Sequence, residues 1–459
     1  MRDFFAIWAG HIAGWLSRRF GRGGGTTIPG RVALRVSPHV LSHVCARLPQ
    51  GVVLVAGTNG KTTTSRMVAA LLAAAGLRVL HNRSGANLIS GVTATAVAGV
   101  RWNGSVPYDI AVFECDEAAL PQVVRATQPR LVLVHNLFRD QLDRYGEVDT
   151  IARNWLQALS ILPSATVVLY NADDPTLARL ALDVHCHTVP YGNDAVATAR
   201  DAVAHLADAG FCRCGSALDY QVRFSGHIGH YTCAGCGFTR PRPQYALDAV
   251  TAAGLRGSTV SIRLPQRGVS FLLPMPGLYN AVNALAAVAV AETLGYSPDY
   301  AATYAQFHAA FGRYEVVQTP DRTLVLALIK NPIGASETLR MLVDAWHEPA
   351  TVVFLINDLD ADGTDVSWLW DADFELVAPH IAHGFVAGTR AADMHVRLKY
   401  AGVAPERLSA VPAISTALDA ALAAARPGET VYLLPTYTAM LALRSVLVDR
   451  GWAAAFWQD

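Results

Sequence analysis

The run VLVAGTNGKTTTSRM, from Val53 to Met67, carries residue types suited to holding the phosphates of a nucleotide. Gly57 and Gly60 let backbone amides curl around an anion, and a helix starting just after them adds the positive end of its dipole. Lys61 is placed to neutralise β- and γ-phosphates, and Thr62 offers a hydroxyl to Mg²⁺. Counted from Gly57, the loop is two residues shorter than the general pattern GxxxxGK[ST], and one residue shorter if Ala56 takes the first place. The lysine inventory sharpens the reading, because Lys61, Lys330 and Lys399 are the only lysines in 459 residues. A chain that otherwise relies on arginine keeps here a compact ammonium that guanidinium does not replace well.

Two further groups have chemistry-bearing types at short spacing. YDIAVFECDEAAL ends in Glu114, Asp116 and Glu117. A carboxylate at the carboxyl end of a parallel strand beside a phosphate loop can hold Mg²⁺, which makes Glu114 the candidate ligand; Asp116 or Glu117 has the alternative use of capping the next helix. Farther on, FCRCGSALDYQVRFSGHIGHYTCAGCGFTRPRP places Cys212 and Cys214 before a strand-like segment and Cys233 and Cys236 after it. Two close cysteine pairs, each followed by glycine, have the layout of a four-thiolate Zn²⁺ ribbon of structural type. The first pair is CxC where CxxC is usual, so His227 or His230 remains an alternative to Cys212. A few arginines without interleaved aromatics do not make a nucleic-acid surface.

The elements that must position these residues alternate. GVVLVA, DIAVFEC, RLVLVHNL and ATVVLY read as buried parallel strands, and Val68, Leu71, Leu72 and Ala75 share one face of the helix after the phosphate loop. The order predicts an α/β doubly wound sheet with ligands at the strands' carboxyl ends. The strands TLVLAL, TVVFLI, HGFVAG and TVYLLP predict a second, smaller Rossmann-like α/β domain. The expected organisation is an N-terminal segment over 1–34, an ATP-binding domain over 35–312 with the ribbon inserted near 208–243, and a C-terminal domain over 313–459. At 52% hydrophobic and 16% charged, the chain can fill several cores, and a net charge of +0 gives no broad field for nucleic acid. Seven cysteines, four of them clustered, suit a reducing, cytoplasmic setting. MRDFFAIWAGHIAGWLSRRF is too short and too interrupted to span a bilayer and has no signal-type cleavage site; it reads as a buried amphipathic helix, with a membrane-grazing one as the alternative.

Taken in order, GTNGKTTT, FECDE, HNLFRDQLDRYGE, YNADDP and PGLYNAVNALAAVA resemble the ATPase domain of the Mur ligase superfamily. These enzymes use ATP to turn a carboxylate into an acyl phosphate that an amine attacks. The resemblance implies that Gly57, Thr58, Asn59, Gly60, Lys61, Thr62 and Thr63 cradle phosphate, that Glu114 and Thr62 serve Mg²⁺, that Asn280 and Asn283 belong to the adenine site, and that Arg313 reaches ATP when the domains close. Lys61 and Glu114 are then catalytic. Tyr279 stands where the family has histidine. Gln141 replaces the histidine of a second Mg²⁺ site, and no lysine between Lys61 and Lys330 is available for the carbamylated position.

With the inserted ribbon, the likeness narrows to the MurT-type branch, the synthetase subunits of lipid II amidating complexes. This implies amidation of the α-carboxylate of D-glutamate in the lipid II stem peptide to D-isoglutamine, with ATP, Mg²⁺ and Zn²⁺, at the cytoplasmic face of the membrane. Ammonia needs no amino-acid pocket, in keeping with the altered second-metal region. No cysteine here sits in a GxCxG-type elbow, so a GatD-like class I glutaminase partner is implied. In this branch an aspartate of the C-terminal domain is expected to assist the glutaminase. Asp358, Asp360, Asp362, Asp365, Asp371 and Asp373 are in range within TVVFLINDLDADGTDVSWLWDADFE, and Asp371 is the candidate. Trp368 and Trp370 offer the same loop a rigid contact surface. Lys330, in LALIKNPIGASETL, is a candidate for phosphate or substrate carboxylate. The competing readings are another Mur or folylpolyglutamate-type ligase and a nucleotide-switched scaffold.

Overall fold

The computed structural model describes residues 2–19, 27–82, 86–139, 148–199, 209–307 and 314–453. Among these, the strands of the first part are β1 (Val52–Ala56), β2 (Val79–His81), β3 (Ile110–Cys115), β4 (Leu131–Val134), β5 (Val167–Asn171), β6 (His187–Asn193), β7 (Leu218–Ser225), β8 (Ile228–Cys233), β9 (Tyr245–Ala252), β10 (Ser258–Arg263) and β11 (Gly268–Leu273). Nine of them form one sheet in the order β11-β10-β9-β6-β5-β4-β1-β3-β2, parallel from β9 to β2, with β10 and β11 added antiparallel at the edge. β7 and β8 stand apart as a two-stranded hairpin.

The uninterrupted β-branched runs read from the sequence are buried on both faces, as crossover helices require. In β1, Val53 and Val55 enter the core that lies against the Lys61–Ala74 and Leu278–Thr293 helices, while Val52, Leu54 and Ala56 enter the core on the opposite face. Each such side chain contributes about 1.5–3 kcal/mol on burial. The Leu278–Thr293 helix is rich in alanine because it runs through that core, buried from Ala284 to Ala291. β1 lies between β3 and β4, so the loop leaving it opens at the point where the strand order reverses.

The remaining strands, β12 (Glu315–Gln318), β13 (Thr323–Leu326), β14 (Ala350–Leu355), β15 (Ile381–Ala387), β16 (Leu408–Ala410) and β17 (Thr430–Pro435), form a six-stranded sheet in the order β12-β13-β17-β14-β15-β16. Only β12 is antiparallel there, and helices cover both faces over separate cores. The last strand of the first sheet ends at Leu273 and the first of the second begins at Glu315, so the expected boundary at 312 lies outside the described residues. At the other end, the expected boundary at 34 falls inside the Ile28–Val36 helix, and Ala6, Ile7 and Ala33 join the core beneath β1. The N-terminal helix, Arg2–Arg19, is buried on one face only. The expectation of a buried helix therefore fails for its outer face, where Phe5 and Trp15 are 64% and 60% exposed.

Candidate active site and thiolate cluster

The phosphate loop is held open by its neighbours rather than by itself. The Thr58 hydroxyl donates to the Phe138 carbonyl at 3.1 Å, and the Phe138 amide donates back at 2.9 Å. The Asn59 amide donates to Asn136 Oδ1 at 2.8 Å, and Asn136 Nδ2 donates to the Asn59 carbonyl at 3.0 Å. The segment following β4 is thus the loop's template. Gly60 caps the Lys61–Ala74 helix at φ 82°, and a Cβ there would meet Asn283 Oδ1 at 2.3 Å. Only glycine serves both demands.

Lys61 is buried, and its Nζ donates to the Thr58 carbonyl and to Glu117 Oε2, each at 3.0 Å. Glu114 is the penultimate residue of β3, opposite Val55. Asn82 brackets its backbone, and Asn87 Nδ2 donates to its Oε1 at 3.3 Å. Glu114 Oε2 is buried with no hydrogen-bond partner. A desolvated carboxylate oxygen left unsatisfied is costly unless something binds it, so this residue fits a divalent cation. Of the two acids, it is Glu117 that pairs with the lysine.

Asn283 lies where the Leu278–Thr293 helix crosses the loop. Its Oδ1 accepts from the Thr64 hydroxyl at 3.2 Å and from His135 Nε2 at 2.8 Å, while the Tyr191 hydroxyl donates to His135 Nδ1 at 2.6 Å. A neutral imidazole with its proton on Nε2 satisfies both contacts. Burial pushes His135 down to about 4, which keeps it neutral. Asn283 lines a cavity of about 150 Å³; Asn280, one turn earlier, is turned away and donates to the Pro276 carbonyl at 2.7 Å.

That cavity opens beside the phosphate loop. Asn59, Gly60 and Thr63 form its floor; Phe138, Leu278 and Val282 form an apolar side; Phe224 and Ile228, at the turn of the β7–β8 hairpin, form another. The second domain supplies the roof through Leu328, Lys330, Ile333 and Gly334. Its Pro332–Ala345 helix is capped by Asn331, whose Oδ1 accepts from the Gly334 amide at 2.8 Å while its Nδ2 donates to Asn59 Oδ1 at 2.9 Å. Two helix N-termini therefore flank one cavity, a favourable field for an anion.

At the far end of the hairpin, the Sγ atoms of Cys212, Cys214, Cys233 and Cys236 lie within 4.8 Å of one another. Cys212 and Cys236 are 3.5 Å apart, and Cys214 and Cys233 are 3.4 Å apart. Thiolates about 2.3 Å from one tetrahedral ion sit ~3.8 Å from each other, so the four fit Zn²⁺ and fill its shell. Gly215 at φ 88° and Gly237 at φ 74° turn the chain after each pair. Hydrogen bonds from the Ser216 amide and hydroxyl lower the Cys214 thiol to about 6. His227 and His230 are not part of the cluster. His227 is buried 3.5 Å from Asp174 Oδ2, and His230 Nε2 contacts the Asn193 carbonyl at 2.8 Å.

The acid-rich loop resolves into distinct uses. Asp358 pairs with Arg390, Asp362 accepts from the Thr438 amide, Asp365 accepts from the Ser367 amide, and Asp373 pairs with Arg340. Four of the six aspartates are thus tied to their own domain. Asp371 is half-exposed, with Oδ2 4.0 Å from Arg139 Nη2 of the first domain. Gln141 and Arg313 lie outside the described residues.

The profile of the Mur ligase middle domain matches residues 55–227, and that of the MurT ligase C-terminal domain matches 328–440. The lipid II isoglutaminyl synthase (glutamine-hydrolyzing) subunit MurT of Streptococcus pneumoniae is 33% identical over 457 residues, 98% of each chain. Its counterpart from Staphylococcus aureus N315 is 33% identical over 88% of this chain and 89% of the relative. The chain belongs to the MurT family. Among solved structures, a pseudomurein peptide ligase type C from Methanothermus fervidus superposes with a TM-score of 0.67 at 19% identity, over 90% of this chain and 81% of that one. Mycobacterium tuberculosis folylpolyglutamate synthase complexed with ADP gives 0.62 at 17% identity, over 89% and 92%. These likenesses establish the Mur ligase fold for this member of the MurT family. Sequence reasoning gave Glu117 only a minor place and passed over His135, Tyr191, Asn331 and the hairpin turn. In each case the deciding neighbour lies far away along the chain.

Proposed function

We propose that the chain is the synthetase subunit of a lipid II isoglutaminyl synthase, forming an acyl phosphate on the α-carboxylate of D-glutamate in the stem peptide and letting ammonia convert it to D-isoglutamine. The observation that carries this is a buried ammonium at a phosphate loop, beside an apolar cavity that two helix N-termini flank, in a chain aligned end to end with MurT relatives. In this reading the base of ATP takes the apolar slot of Phe138, Phe224, Leu278 and Val282, and its phosphates take the amides of Gly57–Thr63. In the first step a carboxylate oxygen attacks the γ-phosphorus and ADP departs. In the second, the ammonia nitrogen attacks the acyl carbon, the acyl C–O bond breaks, and inorganic phosphate and a proton leave.

Lys61 neutralises charge on the transferred phosphoryl group, a contribution of the electrostatic kind worth roughly 10²–10³ in rate. Glu117 holds that ammonium in position through burial and a direct pair. Thr62 and Glu114 would hold Mg²⁺, which supplies further neutralisation of phosphate charge. Cys212, Cys214, Cys233 and Cys236 would hold a structural Zn²⁺ with no open coordination position. The nitrogen donor is a GatD-like class I glutaminase, in keeping with the words glutamine-hydrolyzing in the relatives' names. Asp371 assists that partner from the interdomain crevice. The site works on a lipid-linked substrate at the cytoplasmic membrane face.

The direct test supplies the purified chain with lipid II, ATP and either ammonium or glutamine. Amidation with ammonium, none with glutamine alone, and recovery with glutamine once the cognate glutaminase is added are expected. Absence of amidation under all three conditions sinks the proposal.

A further inference from the structure

The N-terminal helix, Arg2–Arg19, has its small residues inside and its large ones outside. Ala6, Ile7, Gly10, Gly14 and Ser17 form the stripe that packs on the Ile28–Val36 and Ile89–Ala98 helices. The approach is close: a Cβ on Gly10 would lie 2.8 Å from Val97 Cγ1. Phe5, Trp8, Ile12 and Trp15, at spacings of three and four, make the opposite stripe, with Phe4 and Leu16 at its margins, and all six are exposed. Trp102, from the turn before β3, extends this surface, its ring edge-on to Trp8 at 4.8 Å and stacked on His11 at 4.7 Å; it is itself 53% exposed. A helix apolar on every side is ordinarily enclosed, and among the described residues none covers the outer face of this one.

The charge around the stripe is as uneven as its exposure. The first 47 residues contain seven arginines (Arg2, Arg18, Arg19, Arg22, Arg31, Arg35 and Arg47) and a single acid, Asp3, in a chain whose net charge is +0. Asp3 is turned toward the fold, accepting from the Ser37 hydroxyl at 2.6 Å and pairing with His43 at 2.7 Å. No helix among the described residues is long and apolar enough to cross a membrane.

We infer that the face formed by Phe5, Trp8, Ile12, Trp15 and Trp102 seats in the headgroup region of an anionic bilayer, with the helix lying in the interface plane. Tryptophan and phenylalanine suit that depth, since their rings bury while their edges tolerate water. Arg2 and Arg19, exposed at the two ends of the helix, match anionic lipid, each worth ~1 kcal/mol near such a surface. A second copy of the chain is disfavoured as occupant, because it would set two segments of like charge, net +6 each, against one another. The inference rests on this face and not on the reaction proposed above. If both hold, the helix keeps the enzyme where a lipid-linked substrate resides.

The test uses the full chain and vesicles of either phosphatidylglycerol mixed with phosphatidylcholine or phosphatidylcholine alone. Cosedimentation with the anionic vesicles is expected, weakening as salt is raised, with little binding to the zwitterionic ones. Brominated acyl chains should quench part of the tryptophan fluorescence. A Phe5→Ser/Trp15→Ser variant, altered only at exposed positions, should lose about tenfold or more in vesicle partitioning while its thermal midpoint stays put. Failure of the wild-type chain to bind anionic vesicles overturns the inference, as does unchanged binding by the variant. So does a dimer seen by sedimentation velocity that the variant abolishes and vesicles do not compete away. Ammonium-supported amidation of a water-soluble stem-peptide substrate should survive in the variant, so loss of vesicle binding and loss of catalysis remain separable.

Discussion

Lys61 and Glu117 form a buried pair whose energetics differ before and after an anionic ligand arrives. Replacing Glu117 by glutamine takes the carboxylate away from a desolvated ammonium, at a cost on the order of 3 kcal/mol to the ligand-free chain. A bound nucleotide replaces that charge. Nucleotide should therefore raise the thermal midpoint of Glu117→Gln more than that of the wild-type chain; equal increments in a differential scanning experiment would mean that the phosphates do not meet Lys61. His135 gives the residue scale a second handle. Its imidazole is held neutral at about 4 by burial, against an ordinary 6.5, so between those values the unfolded chain binds the extra proton. Stability from this group is complete above about pH 6.5 and declines as pH falls toward 4, by up to about 3 kcal/mol for a shift of this size. Urea titrations at several pH values should show that slope in the wild-type chain and a shallower one in His135→Gln. The phosphate loop was legible because glycine, lysine and threonine meet their ligand within one contiguous turn. The partners of these two residues were not: Glu117 is 56 positions from Lys61, and Asn283 is 148 from His135.

Elements were legible where burial forces a pattern. β1 and β4 are hydrophobic throughout, and β3 and β5 are so up to Glu114 and Asn171, because helices cover both faces; the alanine-rich Leu278–Thr293 helix is the cost of running through a core. The β7–β8 hairpin was legible at its cysteine end only. Nothing local in QVRFSGHIGH says that Phe224 and Ile228 will face a cavity built from residues of five other segments. Yet the hairpin's two ends are rigidly joined by paired strands, from Leu218 opposite Cys233 to Ser225 opposite Ile228. Tyr231 also fastens it to the sheet through the Ala172 carbonyl at 3.0 Å. Loss of the proposed Zn²⁺ should therefore be felt at the nucleotide. In Cys214→Ser/Cys233→Ser, calorimetric affinity for a non-hydrolysable ATP analogue is expected to fall about fivefold or more, and Phe224→Ala should reproduce the fall with the metal retained, the loss of one aromatic wall being worth about 1 kcal/mol. If affinity is unchanged when metal analysis shows no zinc, the two ends of the hairpin are independent.

At the scale of the whole molecule, the two domains meet over the cavity through Asn331 and Asn59, 272 positions apart, and through Asp371 and Arg139 at 4.0 Å. The first contact borders the cavity through Asn59, and the second joins the domains through two partly exposed side chains. The sequence left the aspartates of this loop almost equivalent, because a capping aspartate and a catalytic one share the same local pattern. Only the fold separates Asp358, Asp362, Asp365 and Asp373, tied to the domain itself, from Asp371. Two roles for Asp371 make different demands. If it assists the glutaminase, Asp371→Asn should depress glutamine-supported amidation by about tenfold or more while leaving the ammonium-supported rate near that of the unaltered complex. If it serves domain closure through Arg139, both nitrogen donors should suffer alike, and Arg139→Gln should reproduce the defect. Steady-state assays of the assembled complex with each donor discriminate between these, and Asp360→Asn, an exposed change in the same loop, supplies the control for disturbed docking. A common loss with both donors would assign Asp371 to the chain's own hinge and leave the partner to complete its catalytic group from another residue.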